Sequence, residues 1–228
     1  MFVDAKLTKF QYCIIRQTLL KKGMKVLPEY RYITNAKFRC CSQFDVTETS
    51  ASIKIQSILD HSVKRILEIE DVKKSVFEQG KTNLNLISKY GCDGTSGFTQ
   101  YKQAITEVGN IEGNSVFIIC TVPIFLQFSE HSHSEINFWQ NRNPSSTRLC
   151  RSVNFTHEKE SAELIKAEMK KIQDEIKKLT ATKIIIDGRE ITVNHILHCT
   201  MLDGKVRQVL TETISSQRCS IYNALPKK

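Results

Sequence analysis

Hydrophobic residues spaced like one face of a helix predict three long helices in this chain and a short one at Val206, Val209 and Leu210. The first runs from Thr8 to Lys22 and is stopped by Gly23. The second covers roughly residues 49–70, with apolar positions recurring near the helical period of 3.6 residues at Ile55, Leu59, Val63 and Ile66. The third covers residues 160–180, with an apolar stripe at Ile165, Met169, Ile172, Ile176 and Leu179.

From about residue 82 the pattern changes to one that is typical of strands. Apolar runs predict a strand that leads from Leu84 into Asp93 and strands at residues 116–122 and 149–155, and an Asp-Gly turn predicts a hairpin over residues 184–191. A further strand is expected to end at Leu202. Helices followed by strands around one amphipathic helix indicate an α/β or α+β fold. We therefore expect a basic helical module at 1–80 and a mixed sheet with packed helices at 81–228.

The charge of the chain favours a polyanionic partner. Its 228 residues carry 33 Lys and Arg against 24 Asp and Glu, a net charge of +9, which suits DNA or RNA better than an acidic membrane surface. A basic protein surface without a nucleic-acid role is the alternative. The candidate DNA-contacting residues are Lys9, Arg16, Lys21, Lys22, Lys37, Arg39, Arg148 and Arg151.

Membrane insertion and a zinc site are not expected. No apolar run reaches the roughly 18–20 residues of a membrane span, and the first residues do not resemble a secretory signal. The eight cysteines form no CxxC pair, so they are expected to be reduced and mostly buried. His195 and His198, three apart on a predicted strand, would point to opposite faces and could not share an ion.

Two aspartates stand out because each follows an apolar run and precedes a glycine. They are Asp93, in Cys92-Asp93-Gly94, and Asp203, in Leu202-Asp203-Gly204. A carboxylate held at the rim of a sheet in this way can bind a divalent cation. The alternative is that Asp-Gly is turn chemistry, since both residues favour tight reversals.

The order of these motifs and elements resembles the ribonuclease-H-like catalytic core of the V(D)J recombination-activating recombinase and Transib transposase family. That family holds two divalent metals on two Asp and one Glu for DNA cleavage and strand transfer. The resemblance places Asp93 on the first Asp and Asp203 on the second, 110 residues later (203 − 93). It implies Mg²⁺ or Mn²⁺ as cofactor, DNA as partner, a possible homodimer, a nuclear location and no small-molecule substrate.

The chain departs from the family pattern at its C-terminal end. The family's catalytic Glu lies in a zinc-binding region beyond the point where this sequence ends, and its first CxxC corresponds here to Cys219-Ser220-Ile221-Tyr222. Because a phenol replaces the second thiolate, Cys219 is a doubtful ligand and zinc is not expected. We expect weak metal binding and an incomplete, inactive core. Glu190 and Glu212 are the local acids that could replace the missing Glu.

Two other functions remain open on the sequence. A non-catalytic DNA-binding protein would retain the basic helices and use the sheet as a scaffold. A nucleotide-binding enzyme is suggested by the segment at residues 93–97, which resembles a phosphate-binding turn, but the chain contains no GxxxxGK[ST] loop.

Overall fold

The computed structural model describes residues 7–39, 44–96, 115–129 and 135–213, which belong to two compact units. The first unit is Met1–Gln43 and the second is Phe44–Lys228. The sequence placed the boundary near residue 80. It lies earlier because the helices that follow residue 54 bury their apolar faces in the core of the sheet unit.

The first unit contains two helices, α1 (Lys9–Lys21) and α2 (Tyr30–Arg39). A capping box starts α1, because the Gln11 amide donates to Thr8 Oγ1 at 3.2 Å and the Thr8 amide donates to Gln11 Oε1 at 2.9 Å. Tyr12 is buried between the helices, and its hydroxyl donates to the Pro28 carbonyl at 2.7 Å. The predicted first helix is confirmed, whereas the sequence did not predict α2.

The second unit is built on an eight-stranded mixed sheet. Its strands are β1 (Asp45–Val46), β2 (Ser50–Ser52), β3 (Asn83–Ser96), β4 (Ser115–Ser129), β5 (Glu135–Gln140), β6 (Arg151–Thr156), β7 (Thr182–Ile186) and β8 (Arg189–Leu202). The strand order is β1-β2-β6-β4-β3-β8-β7, and β5 pairs with the second half of β4. Only the β3–β8 pair is parallel among the pairs that the structure describes. The mixed α/β architecture predicted from the sequence is therefore confirmed.

Four helices pack against one face of this sheet: α3 (Ile55–Leu67), α4 (Glu70–Glu78), α5 (Ala162–Ile176) and α6 (Gly204–Thr211). Every second residue of a strand points to the helices and supplies the sheet side of the core, as Leu84, Leu86, Tyr90 and Cys92 of β3 do. The next residues along β3, including Lys89 and Asp93, consequently lie on the opposite face. We refer to this opposite face as the open face.

Several predicted elements have different bounds in the structure. The helix expected over residues 49–70 begins at Ile55, because residues 50–52 pair with β6 as a strand. Asp93-Gly94 is not a turn, since β3 continues to Ser96 and pairs with β4. Asp187-Gly188 is the turn predicted from the sequence, and both residues have positive φ, 48° and 77°. No described helix is long and apolar enough to cross a membrane.

Candidate metal centre

The parallel pairing of β3 with β8 brings Asp93 and Asp203 side by side. Tyr90 pairs with Cys199, but Gly91 pairs with Met201 and Cys92 with Leu202, so Thr200 is an extra residue in β8. Without this bulge Asp93 would lie opposite Leu202. With it, the next step after the last pair sets Asp203 beside Asp93 on neighbouring strands about 4.8 Å apart.

Gly91 permits the close approach of the two strands at the bulge. A Cβ added to Gly91 would lie 1.8 Å from the carbonyl oxygen of Met201 and 2.7 Å from its Cβ. Any side chain at position 91 would therefore force the strands apart. Gly91 also pairs with Cys120 of β4 on its other side, so the sheet has no side chain at this position between β8 and β4.

Asp203 also begins α6. It is the N-cap of that helix, and its Oδ1 accepts a hydrogen bond from the Val206 amide at 2.6 Å. Capping uses one carboxylate oxygen, which leaves the second available for a cation. The sequence correctly placed Asp203 at the end of a strand, and the structure adds its role at the start of a helix.

Both aspartates line a groove of about 530 Å³ on the second unit. Gly91, Lys89 and Ile118 belong to its lining, and so do two cysteines, Cys120 and Cys150. The groove therefore combines two carboxylates, one lysine and two thiols. It is open to solvent, and Asp93 and Asp203 are both exposed.

Glu160 is a third acid close to the two aspartates, and the sequence did not single it out. Its carboxylate occupies the space that a side chain at position 94 would fill: a Cβ added to Gly94 would lie 2.2 Å from Glu160 Oε2. Gly94 shares the strand parity of Cys92, so Glu160 approaches from the helical side of the sheet. Asp93 lies between Cys92 and Gly94 in the strand, so its side chain belongs to the open face.

Lys205 balances the charge of Glu160. Its Nζ lies 3.1 Å from Glu160 Oε1, and the glutamate side chain is only 13% exposed. The same oxygen has no hydrogen-bond partner among the described residues, so the contact is an ion pair without hydrogen-bond alignment. A partly buried acid held this way is oriented by charge and by the absence of a side chain at Gly94.

Negative charge from all three acids acts on one thiol. The pKa of Cys92 is raised to about 12, chiefly by burial and then by Cys199, Glu160, Asp203 and Asp93. Cys92 is therefore a protonated, inert core residue. The three carboxylates that act on Cys92 therefore all lie near the end of β3.

The two cysteines of the groove titrate differently from Cys92. The pKa of Cys150 is lowered to about 7 by a hydrogen bond from Cys120 and by the charges of Lys89 and Arg151, against an opposing effect of burial. The pKa of Cys120 is raised, because its proton is held in the bond to Cys150 and because it is partly buried. Ser152 Oγ lies 3.8 Å from Cys120 Sγ.

The predicted DNA-contacting residues occur in two places. Lys9, Arg16, Lys21 and Lys22 belong to α1, and Lys37 and Arg39 to α2, all in the first unit. Arg148 and Arg151 belong to the second unit, on either side of Cys150. Arg16 has a structural contact, since its Nε donates to the Leu27 carbonyl at 3.3 Å, and Lys9 Nζ lies 5.5 Å from the centre of the Tyr30 ring. Lys21 and Lys22 are exposed.

Neither acid proposed as a replacement for the missing Glu reaches the groove. Glu190 is at the opposite end of β8, 13 residues from Asp203 (203 − 190), or roughly 40 Å along an extended strand. It pairs with Lys183 at 3.7 Å. Glu212 pairs with Lys166 at 2.9 Å, and this contact lowers its pKa. Cys219 lies outside the described residues.

The donor set fits one hard cation better than two. In the described ranges no group of three or more His, Cys, Asp or Glu side chains is arranged to hold a metal. Asp93 and Asp203 offer carboxylate oxygens, which Mg²⁺ and Mn²⁺ prefer, and Mg²⁺ commonly binds to one or two carboxylates while keeping several waters. Comparison of the sequence with protein-family models and with curated proteins finds no match.

Proposed function

We propose that the second unit is a metal-dependent DNA cleavage and strand-transfer core of the recombinase and transposase type. One observation carries the proposal: the bulge at Thr200 pairs Cys92 with Leu202, so the residues that follow them, Asp93 and Asp203, are neighbours that line one groove. A divalent cation held there would activate an attacking water or 3′-hydroxyl and stabilise the leaving oxygen of a phosphodiester. The strand order β6-β4-β3-β8, with only the last pair parallel, supports a ribonuclease-H-like arrangement.

The residues around the aspartates have separable roles in this proposal. Asp93 and Asp203 bind and orient the cation, and the Val206 amide fixes the Asp203 carboxylate by its hydrogen bond. Lys89 lines the same groove and offers a positive charge to a phosphate oxygen. Because Gly91 has no side chain, a sugar-phosphate chain has room to approach the two carboxylates.

The basic helices α1 and α2 of the first unit are proposed to contact DNA as well. Lys21 and Lys22 are the clearest candidates, because both are exposed at the end of α1. Such contacts position a duplex without reading its sequence. A homodimer and a nuclear location belong to the same proposal.

A second candidate is a non-catalytic DNA-binding protein. It is favoured by the position of Glu160, which lies on the helical side of β3 and is ion-paired with Lys205 instead of facing the groove with the aspartates. Two carboxylates hold one ion, whereas two-metal catalysis requires a site that holds both. We therefore expect the 228-residue chain to bind DNA and one metal but not to nick DNA in Mg²⁺ or Mn²⁺.

Mn²⁺ binding, followed by electron paramagnetic resonance of the free ion, tests the proposal. Asp93→Asn and Asp203→Asn should each weaken binding by about tenfold or more, the size of effect that loss of a supporting partner causes at metal sites. Asn is as good an N-cap as Asp, so the second variant keeps α6 capped. Asp71→Asn, at an exposed position in the first turn of α4, is the matched control.

The outcomes separate the two candidates. Equal losses in both variants, with the control unchanged, support a shared metal site. Binding that neither variant weakens would reject the metal centre and leave the DNA-binding protein as the function. Nicking by the unmodified chain that is lost on Asp93→Asn would show that a further acid completes the site.

A further inference from the structure

We propose that Cys120 and Cys150 form a redox-active thiol pair that closes to a disulfide on the wall of the groove. The oxidant that this site would take is a low-molecular-weight disulfide. The inference concerns the two thiols alone and does not depend on the metal centre. It therefore holds or fails separately from the proposed function.

The strand register brings the two sulfurs together. Cys120 pairs with Ser152 across β4 and β6, and Cys150 comes two residues before Ser152. Cys120 and Cys150 line the same groove on the open face. The two thiols act on each other, which raises the pKa of Cys120 and lowers the pKa of Cys150. Both line the groove and both are partly exposed, so a small oxidant can reach them.

The backbone at Cys150 can adjust to the geometry of a disulfide. A disulfide requires Cα atoms about 4.4–6.8 Å apart, whereas diagonal neighbours in a ladder are about 7–8 Å apart. Cys150 precedes the first residue of β6, and its amide donates to the Thr147 carbonyl at 3.3 Å instead of to a neighbouring strand. It is therefore outside the ladder and can move towards β4.

The charges around the pair give the two thiols different roles. Lys89 from β3 and Arg151 from β6 stabilise the Cys150 thiolate, and Cys120 from β4 donates its proton to it. A reactive cysteine is a thiolate in a positive, partly exposed environment, and Cys150 meets both conditions. Cys120 retains its proton and acts second.

The reaction balances with a small disulfide, RSSR. The Cys150 thiolate attacks one sulfur, the S–S bond breaks, and RS⁻ leaves while a mixed disulfide remains on Cys150. Cys120 gives its proton to the first RS⁻ and attacks Cys150 Sγ, which releases the second RS⁻. The second RS⁻ takes from solvent the proton that Cys150 lost when it ionised. Two protein thiols are oxidised to one disulfide, and RSSR is reduced to two RSH.

Alkylation of the native chain with iodoacetamide between pH 6 and 9, read at the peptide level, tests the reactivity. Cys150 should react first among the described cysteines, with a midpoint near pH 7. About half would be thiolate at pH 7 against a few per cent for an ordinary thiol; the lower nucleophilicity of an acidic thiol reduces the advantage to about threefold. Lys89→Met should raise the midpoint. A midpoint above pH 8.5, or one that Lys89→Met does not move, would overturn the assignment.

Oxidised glutathione followed by blocking and trypsin tests the bond itself. Cleavage after Lys102, Arg142, Arg148 and Arg151 places Cys120 in residues 103–142 and Cys150 in residues 149–151. The wild-type chain should give these two peptides linked, and dithiothreitol should separate them. Cys120→Ser should instead accumulate glutathione on Cys150, while Cys150→Ser should lose both products. Cys199→Ser is the control and should leave the linkage intact.

The digest of the wild-type chain tests the proposal by itself, without any variant. A linkage between other cysteines in place of 120–150, or no linkage while Cys150 remains alkylatable, would overturn the proposal. Loss of Mn²⁺ binding in the aspartate variants has no bearing on this result. The two proposals can therefore be accepted or rejected independently.

Discussion

Gly91 is the residue whose replacement should disturb the candidate site most. An added Cβ would collide with the Met201 backbone at 1.8 Å, and backbone cannot move aside as a flexible side chain can. We expect Gly91→Ala to lower the free energy of unfolding by about 1–3 kcal/mol or more, as overpacking does. Urea denaturation measures this.

Gly204→Ala is the matched control for that substitution. No atom lies within 4 Å of the added Cβ, and Gly204 is the first residue of α6, where alanine is acceptable. Its effect should stay within about 0.5 kcal/mol, the usual range for surface changes. Equal effects at positions 91 and 204 would show that the close approach of β3 and β8 is not tight.

His195 shows how one hydroxyl fixes the protonation of a half-buried ring. Thr182 Oγ1 donates its only proton to Asp60 Oδ1, so its contact with His195 Nε2, at 2.7 Å, requires the ring to be the donor. The ring is then protonated on Nε2, and Nδ1 is buried with no hydrogen-bond partner among the described residues. Burial lowers the pKa of His195, against the opposing charge of Asp60.

This lowered pKa predicts a loss of stability in mild acid. The unfolded chain binds a proton below about pH 6.5, whereas the folded chain resists it, so the stabilisation is present above that pH and is lost as the pH falls towards the folded-state pKa. The urea midpoint should therefore be lower at pH 5.5 than at pH 7.5. His195→Gln should reduce this difference, and His198→Gln, on an exposed neighbour, should not. An unchanged difference in His195→Gln would contradict the assignment.

At the scale of elements, Asp203 belongs to both the groove and helix α6, and two substitutions separate these roles. Asp203→Ala removes the N-cap and the carboxylate and should cost about 1 kcal/mol of stability. Asp203→Asn removes only the charge, so stability should change little while Mn²⁺ binding falls. Urea denaturation of both variants measures the difference. Equal losses of stability would mean that the charge, and not the capping bond, supports α6.

The elements show which parts of the fold a sequence pattern can reveal. Helices α1 and α5 and strand β4 were predictable because their apolar residues follow a clear period or a continuous run. Helix α2 was not, because none of its residues is buried and its aromatics alternate with charges. Helix α4 was missed for a similar reason, since its buried stripe consists of Val72 and Val76 alone.

The candidate site was predictable in part. Both aspartates were identified, but Asp93 was expected at the end of a strand, whereas β3 continues past it to Ser96. The pattern Asp-Gly does not distinguish the end of a strand from a strand whose glycine accommodates a neighbour. Glu160 could not be found from spacing, since its position depends on the space above Gly94, which is 66 residues away (160 − 94). The Cys120–Cys150 pair depends on strand register in the same way.

At the scale of the whole molecule, the net charge of +9 predicts DNA binding that weakens steeply with salt. Each phosphate contact contributes about 0.9 to the slope of log K against log salt. Lys21→Gln combined with Lys22→Gln should therefore reduce the slope by up to about 1.8, as measured by fluorescence anisotropy of a labelled duplex between 50 and 200 mM salt.

A control of equal charge separates contact from general attraction. Lys74 and Lys177 are exposed and pair with Glu78 and Asp174 within their own helices. Replacing both with Gln changes the net charge as much as the α1 variant does, but it should leave the slope unchanged. Equal reductions in both double variants would mean that overall charge, and not α1, attracts DNA.

The bulge at Thr200 makes the candidate centre depend on the register of β8 against β3. Every residue of β8 after the bulge is displaced by one position relative to β3, and this displacement alone brings a carboxylate, instead of Leu202, to the side of Asp93. If Thr200 instead paired with Gly91 in a regular ladder, Leu202 would lie beside Asp93 and present an apolar side chain to the groove with both aspartates still encoded. Removing the residue at position 200 would keep Asp203 beside Asp93, because the pairs on either side of the bulge would not change. Related chains can therefore retain both acids and lack the centre, and aligned aspartates identify it only when the register of β8 on β3 after residue 200 is also preserved.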